Sequence, residues 1–215
     1  MAKKIFLSAS SQFENAYAYG GTNEAAVCRK IADSCEKALK RCGFEVKNSK
    51  NNSYVERTKE SNAWLSDAHI AIHSNAASVP VSGTRIFTYG NGKNEIRLAQ
   101  CMFDTLTPFV PGDSDGLSAY PDLYELKNTK MAACYLEVQF HHVADTAKWI
   151  IENVDGIAEK IAEGACKYFG VKYVAPQTTG KIYQAVAGSF SVRKNCENRI
   201  KELKKAGFDA FIQVK

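Results

Sequence analysis

A short apolar run, Ile70-Ala71-Ile72, breaks off into His73-Ser74-Asn75-Ala76-Ala77. A strand with no polar alternation is buried on both faces and needs a layer of structure above and below it. That requirement points to an α/β arrangement. The abrupt end in a histidine and small polar residues is how a buried strand delivers a ligand or reactive group to the rim of a sheet.

The rest of the chain supplies the layers. Residues 4–8 read as a strand and the polar stretch Ser10 to Gly21 as a loop. Thr22 is the expected N-cap of a helix from Asn23 to Arg41, which Gly43 stops. Val27, Ile31, Cys35, Ala38 and Leu39 recur on it at helical spacing. Strands are expected at 44–46, 68–72, 84–88 and 134–138. Helices are expected at 56–66 and 94–109, with one or two more across 144–169. Strands alternating with helices imply a mixed, largely parallel sheet flanked by helices on both faces. Residues 172–180, with Pro176, two threonines and Gly180, have a linker composition. Beyond them, 181–215 read as a β-α-β unit: a strand at 182–187, a helix at 191–206 and a strand at 208–213.

Composition narrows the function classes. The chain has 215 residues, 45% hydrophobic and 24% charged, with a net charge of +5. That is ordinary for a globular protein and too weakly basic to argue for nucleic acid. It is compatible with an anionic polymer such as a bacterial cell wall. Neither an apolar signal core nor an 18-residue apolar span is present, so synthesis in the cytoplasm without membrane insertion is expected. Seven cysteines without a C-x-x-C pair argue against a zinc ribbon and for reduced, mostly buried thiols.

Chemistry belongs beyond the carboxyl ends of the strands. Ser11 and Gln12 follow the first strand, His73 ends the third, and Glu137 lies near the end of the 134–138 strand. Glu24 opens the first helix, and the preceding loop is long enough to bring it to the same rim. Imidazole and carboxylate ligands suit zinc, and a catalytic site keeps one position open for water. Glu24 and His73 would then be ligands and Glu137 the acid/base. In a plainer reading, Glu24 serves the helix dipole and His73 is a satisfied rim histidine. Glu137 is harder to set aside, because an unpaired carboxylate in an apolar strand is costly.

Three segments resemble a known family. Ser66-Asp67-Ala68-His69-Ile70-Ala71-Ile72-His73-Ser74-Asn75-Ala76, Thr22-Asn23-Glu24 and Leu136-Glu137-Val138-Gln139-Phe140 are similar, in order and spacing, to motifs of zinc-dependent N-acetylmuramoyl-L-alanine amidases of the amidase-3 kind. The resemblance covers residues 4–171. It implies a Zn2+ cofactor, Glu24 and His73 as metal ligands and Glu137 as catalytic carboxylate. The implied reaction cuts the amide between N-acetylmuramic acid and L-alanine of the peptidoglycan stem. The family usually has a further zinc histidine after the first strand. Here Leu7-Ser8-Ala9-Ser10-Ser11-Gln12 carries none. His141, just past the strand of Glu137, is the favoured third ligand, with the Gln12 amide as the other. His69 is expected to be buried near the start of its strand.

The tail resembles a SPOR-type or amidase C-terminal repeat through Tyr183 to Ser191 and Ala206 to Phe211. That family is implied to bind peptidoglycan, favouring glycan strands stripped of peptide. Half a module is present, so pairing of residues 181–215 into a homodimer is the accompanying expectation. The domains are therefore read as 1–171 catalytic, 172–180 linker and 181–215 wall binding or dimerisation. Such an enzyme acts on the wall after release by lysis or a holin, as an endolysin or a sporulation-type lytic enzyme. The alternatives are an inactive wall-binding relative and another zinc hydrolase such as a peptidase.

Overall fold

The computed structural model describes residues 2–114, 116–177, 186–208, 210–212 and 214. Its contacts divide into two units, Met1–Pro176 and Gln177–Lys215. In the first, the described residues form six strands and six helices. They run in the order β1 (Lys4–Ala9), α1 (Glu24–Arg41), β2 (Glu45–Asn48), α2 (Tyr54–Ala63), β3 (Ala68–Asn75), β4 (Arg85–Thr88), α3 (Lys93–Leu106), β5 (Leu117–Ala119), α4 (Tyr124–Asn128), β6 (Ala132–Phe140), α5 (Ala144–Glu152) and α6 (Val154–Phe169).

The strands make one mixed sheet in the order β2-β1-β3-β6-β4-β5. β2, β1, β3 and β6 run parallel, and β4 joins β6 antiparallel, with β5 parallel to β4. The central pair β3–β6 aligns His73 with Glu137, and β4 places Arg85 opposite the same Glu137. Three sequence-distant residues therefore meet at one level of the sheet.

Strand alternation sorts side chains onto two faces. Ile5, Leu7, Ile70, Ile72, Cys134, Leu136 and Val138 pack in the main core with α1, α3 and α6. Each such buried aliphatic contributes about 1.5–3 kcal/mol of transfer free energy. The opposite face is more polar. It carries Phe6 stacked on His69, and Ala71, Ala133 and Tyr135 packed under Leu126 of α4. Between α2, α4 and β1 lies a buried ionic group. Arg57 Nε donates to Ser8 Oγ at 2.6 Å, Ser8 Oγ donates to Glu125, and the Arg57 guanidinium lies 3.6 Å from Glu125 Oε2. His69 is fully buried beside them, its Nδ1 3.0 Å from Ser61 Oγ.

Several boundaries differ from expectation for local reasons. Asn23, not Thr22, caps α1, its side chain accepting from Ala26 N at 2.9 Å. Gly43 does follow the helix, at φ +89°, a conformation that favours glycine. β3 continues to Asn75, so His73 lies inside the strand, at a register shift between His73 and Asn75. Ladder bonds carry the strand past the end of its apolar run. α2 starts at Tyr54 because Ser53 caps it. The short β5 and α4 lack a periodic signal long enough to read.

The second unit contains α7 (Arg193–Lys205). Val186, Ala187, Phe208 and 210–212 are not strand residues, so no β-α-β pattern forms among the described residues. The rest of the two expected strands lies outside them. All seven cysteines are free thiols, six of them buried. Among the described residues, no helix is long and apolar enough to cross a membrane.

Candidate active site

The loop between β1 and α1 doubles back on itself. Glu24 N donates to Asn15 O at 2.9 Å, Tyr17 N to Thr22 O at 3.0 Å and Ala25 N to Gln12 O at 3.3 Å. The fold-back sets Gln12, Asn15 and Glu24 beside the carboxyl end of β3. His73 Nδ1 lies 2.8 Å from Glu24 Oε1 and 3.4 Å from Gln12 Nε2. Asn15 Nδ2 donates to Glu24 Oε2 at 2.8 Å and also to Gln12 Oε1. Glu24 and His73 are 1% and 5% exposed, so this is a buried contact rather than a surface pair. Burial alone would raise the Glu24 carboxyl, but His73, Asn15 and Ser10 together hold it below the usual carboxylate range.

Glu137 shares the face of β6 with Tyr135, two residues earlier. The Tyr135 ring stacks on His73 at 4.2 Å, fixing the plane of the imidazole. Burial, followed by the charge of Glu24, pushes the Glu137 carboxyl well above its ordinary value, while Arg85 works against the rise. Two buried polar atoms here, His73 Nε2 and Glu137 Oε2, have no hydrogen-bond partner among the described residues. Buried polar atoms are seldom left so, and such exceptions gather where a ligand or substrate completes them.

His141 does not join this group. Its Nδ1 is 2.9 Å from Ser74 Oγ, which is 2.7 Å from Tyr17 Oη, and the Tyr17 and His141 rings stack at 4.9 Å. Ser74 follows His73 in the strand and so points to the opposite face, taking His141 with it. Ala18 N donates to His141 O at 3.0 Å. The expected third ligand, His141, is thus not grouped with Glu24 and His73 among the described residues; it ties the loop of Gln12 and Asn15 to the sheet. Burial holds its imidazole below the ordinary value, against the pull of Glu24. His142 instead turns its Nε2 to Val79 O at 2.9 Å. His69 lies four residues earlier on the same face of β3, in the ionic group already described.

Among the described residues, no three His, Cys, Asp or Glu side chains are arranged to hold a metal. The imidazole, the carboxylate and the Gln12 carboxamide do meet at one point. A half-turn of the carboxamide exchanges its nitrogen for its oxygen there. One imidazole nitrogen, one carboxylate and one amide oxygen form a donor set of the kind zinc takes, centred on His73 Nδ1, while the unpartnered His73 Nε2 faces the other way. Asn15, Tyr17, Ser74, Tyr135 and Arg85 were not singled out from the sequence. Tyr135 alone had a signal, its period-two spacing from Glu137.

A Glu–His pair facing a buried carboxyl group at the rim of a mixed α/β sheet defines a hydrolytic class of site. The profile of the N-acetylmuramoyl-L-alanine amidase family matches residues 11–167, and the chain belongs to that family. Solved structures share the fold. The catalytic domain of the amidase CwlV from Bacillus (Paenibacillus) polymyxa var. colistinus superposes with a TM-score of 0.69 at 20% identity, over 79% of this chain and 99% of that one. An N-acetylmuramoyl-L-alanine amidase from Clostridium difficile 630 gives 0.69 at 20%, over 79% and 97%. The catalytic domain of the CD27L endolysin, which targets Clostridia difficile, gives 0.62 at 22%, over 76% and 96%. No curated protein sequence matches the chain.

Proposed function

We propose that this peptidoglycan amidase is a zinc enzyme that hydrolyses the bond between N-acetylmuramic acid and L-alanine. The observation that carries the reading is the buried convergence of Glu24, His73 and Gln12 beside Glu137. Glu24 and His73 would hold the ion, with Gln12 as the third, weaker donor. Zinc, when bound, polarises the scissile carbonyl and lowers the pKa of an attacking water. Glu137, ionised once the positive charge of the bound ion offsets its burial, would accept the proton of that water on a carboxylate oxygen and return it to the leaving nitrogen of L-alanine. Tyr135 keeps the imidazole of His73 in plane, and Asn15 keeps Glu24 and Gln12 facing it.

A second reading, a family member without catalysis that only binds the wall, is favoured by the lack of a third imidazole or carboxylate donor. Metal content separates the two. The first reading expects about one equivalent of zinc in the purified chain, hydrolysis that a chelator removes and zinc restores, and a His73→Ala variant free of zinc. A native chain without zinc affinity supports the second. Stoichiometric zinc in His73→Ala contradicts the ligand assignment.

The 181–215 segment is proposed to hold the enzyme on the wall. Its expected self-pairing is tested by sedimentation of the full chain.

A further inference from the structure

Charge is divided unevenly along the chain, and the division suggests what the C-terminal unit grips. The whole sequence has 28 Lys and Arg against 23 Asp and Glu. Residues 177–215 hold eight of the former and three of the latter, leaving 20 of each in residues 1–176. The catalytic unit is thus neutral, and the entire excess of +5 belongs to the second unit.

That excess is also ordered. On α7, at 100° per residue, Arg193, Lys194, Lys201, Lys204 and Lys205 fall in a stripe about 120° wide, interrupted by Glu197 alone. All five are exposed. Arg193 pairs with Glu197 at 3.0 Å, while among the described residues no ion pair engages Lys194, Lys201, Lys204 or Lys205. Cys196, Ile200 and Leu203 form the adjoining flank and are half-buried. Helices that carry charge for solubility alone mix the two signs around the surface. Here four lysines with no acidic partner among the described residues line one side.

We propose that this stripe binds a phosphodiester-linked polyol polymer of the bacterial wall, and so brings a neutral catalytic unit to peptidoglycan. A polymer with a full negative charge on each short repeat can meet several of these lysines at once. A glycan strand stripped of peptide offers only one lactyl carboxylate per disaccharide, a sparser charge than a phosphodiester on every short repeat, so it meets fewer of these lysines at once. A second copy of the chain is a poorer occupant. The exposed Phe208 and Phe211 would favour self-pairing, but it sets one +5 unit against another. An anionic membrane is also poorer, because the apolar flank of α7 itself is half-buried and the exposed Phe208 and Phe211 lie beyond the end of the helix, not on a face it could lay into a bilayer.

The proposal rests on the wall as the site of action, but its test needs no turnover. Binding of the full chain to soluble polyglycerol phosphate is measured by calorimetry. Binding to purified walls is measured before and after acid removal of their phosphodiester polymers. The native chain should bind the soluble polymer, and by on the order of tenfold less at 0.5 M than at 0.05 M salt. It should also bind stripped walls far more weakly than intact ones. Replacing Lys194, Lys201, Lys204 and Lys205 together by Gln should cost on the order of tenfold or more, whereas replacing them by Arg should preserve binding. Equal binding to stripped and intact walls would mean recognition of glycan and overturn the proposal. So would equally tight binding to phosphatidylglycerol vesicles, self-association without polymer binding, or an unaffected Gln variant. If the Gln variant loses its helical signal, the Arg variant decides, and its failure to bind also overturns the proposal. A chain that binds the polymer but releases no product keeps this proposal and sinks the amidase reading. An active chain that ignores the polymer does the reverse.

Discussion

Glu137 is buried within reach of the charges of Glu24 and Arg85, and its carboxyl is held well above the ordinary range. Chemistry and stability therefore make opposite demands of it. In hydrolysis its replacement by Gln keeps the shape but cannot take a proton, so kcat should fall by about 10²–10⁴-fold with metal content unchanged. In the metal-free chain the same change should stabilise the fold. The sign follows from protonation. Below the unfolded pKa, near 4.3, the carboxyl is neutral in both states and costs nothing. As pH rises from there through the raised folded pKa, the unfolded state ionises more readily and the native state loses ground. Thermal melts of native and Glu137→Gln apoprotein should accordingly coincide near pH 3.5 and separate by pH 8, with the variant melting higher. Coincident melts at pH 8 would contradict the burial argument. Glu125 behaves in the opposite sense. Burial would raise it, but His69 and Arg57 bring it below its usual value, so the stability it adds is present above the unfolded pKa and lost toward acid pH.

At the scale of elements, α1 serves both the core and the site. Its buried face, Val27, Ile31, Cys35 and Leu39, packs in the main core, while its first turn presents Glu24 to His73. The cap on Asn23 joins the two roles. Asn23→Ala should cost about 1 kcal/mol of stability and should also weaken zinc affinity, because the turn that carries Glu24 frays first. Denaturant titration together with metal titration checks this. Equal zinc affinity in the variant would separate the cap from the site. The same element shows what can be read in a sequence. Periodic apolar spacing marked α1, and a short apolar run marked β3, because the core selects for both. Glu24, His73 and Glu137 were legible because strand ends and helix starts place them at one rim. The partner of His141 was not legible. Its side depends on Ser74 pointing away from His73, which needs the extension of β3 to Asn75. Asn15 was equally hidden, since only the fold-back of its loop brings it to Glu24.

On the scale of the whole molecule, the neutral first unit carries the amidase fold, and the basic second unit is proposed to hold the wall. The first ends after a segment fastened to the core, where Arg41 Nε donates to Val174 O at 2.8 Å and Tyr173 rests on Glu159. A chain truncated after Pro176 keeps every described contact of the site. It should turn over soluble muropeptides at the full-length rate, yet bind intact walls at least about tenfold more weakly at low salt. Equal wall binding by the truncated chain would remove the second unit from the account.

The most direct test of the central claim is the identity of the bond cut. Purified peptidoglycan is digested with the zinc-loaded chain, and the new chemical ends are identified by amino-terminal labelling and mass spectrometry. Cleavage at the proposed bond releases stem peptides beginning with free L-alanine and leaves intact glycan strands with lactyl carboxyl groups. A chelator should abolish both. New reducing sugar ends, new amino termini at any other residue, or no new ends from a zinc-loaded chain would contradict the account.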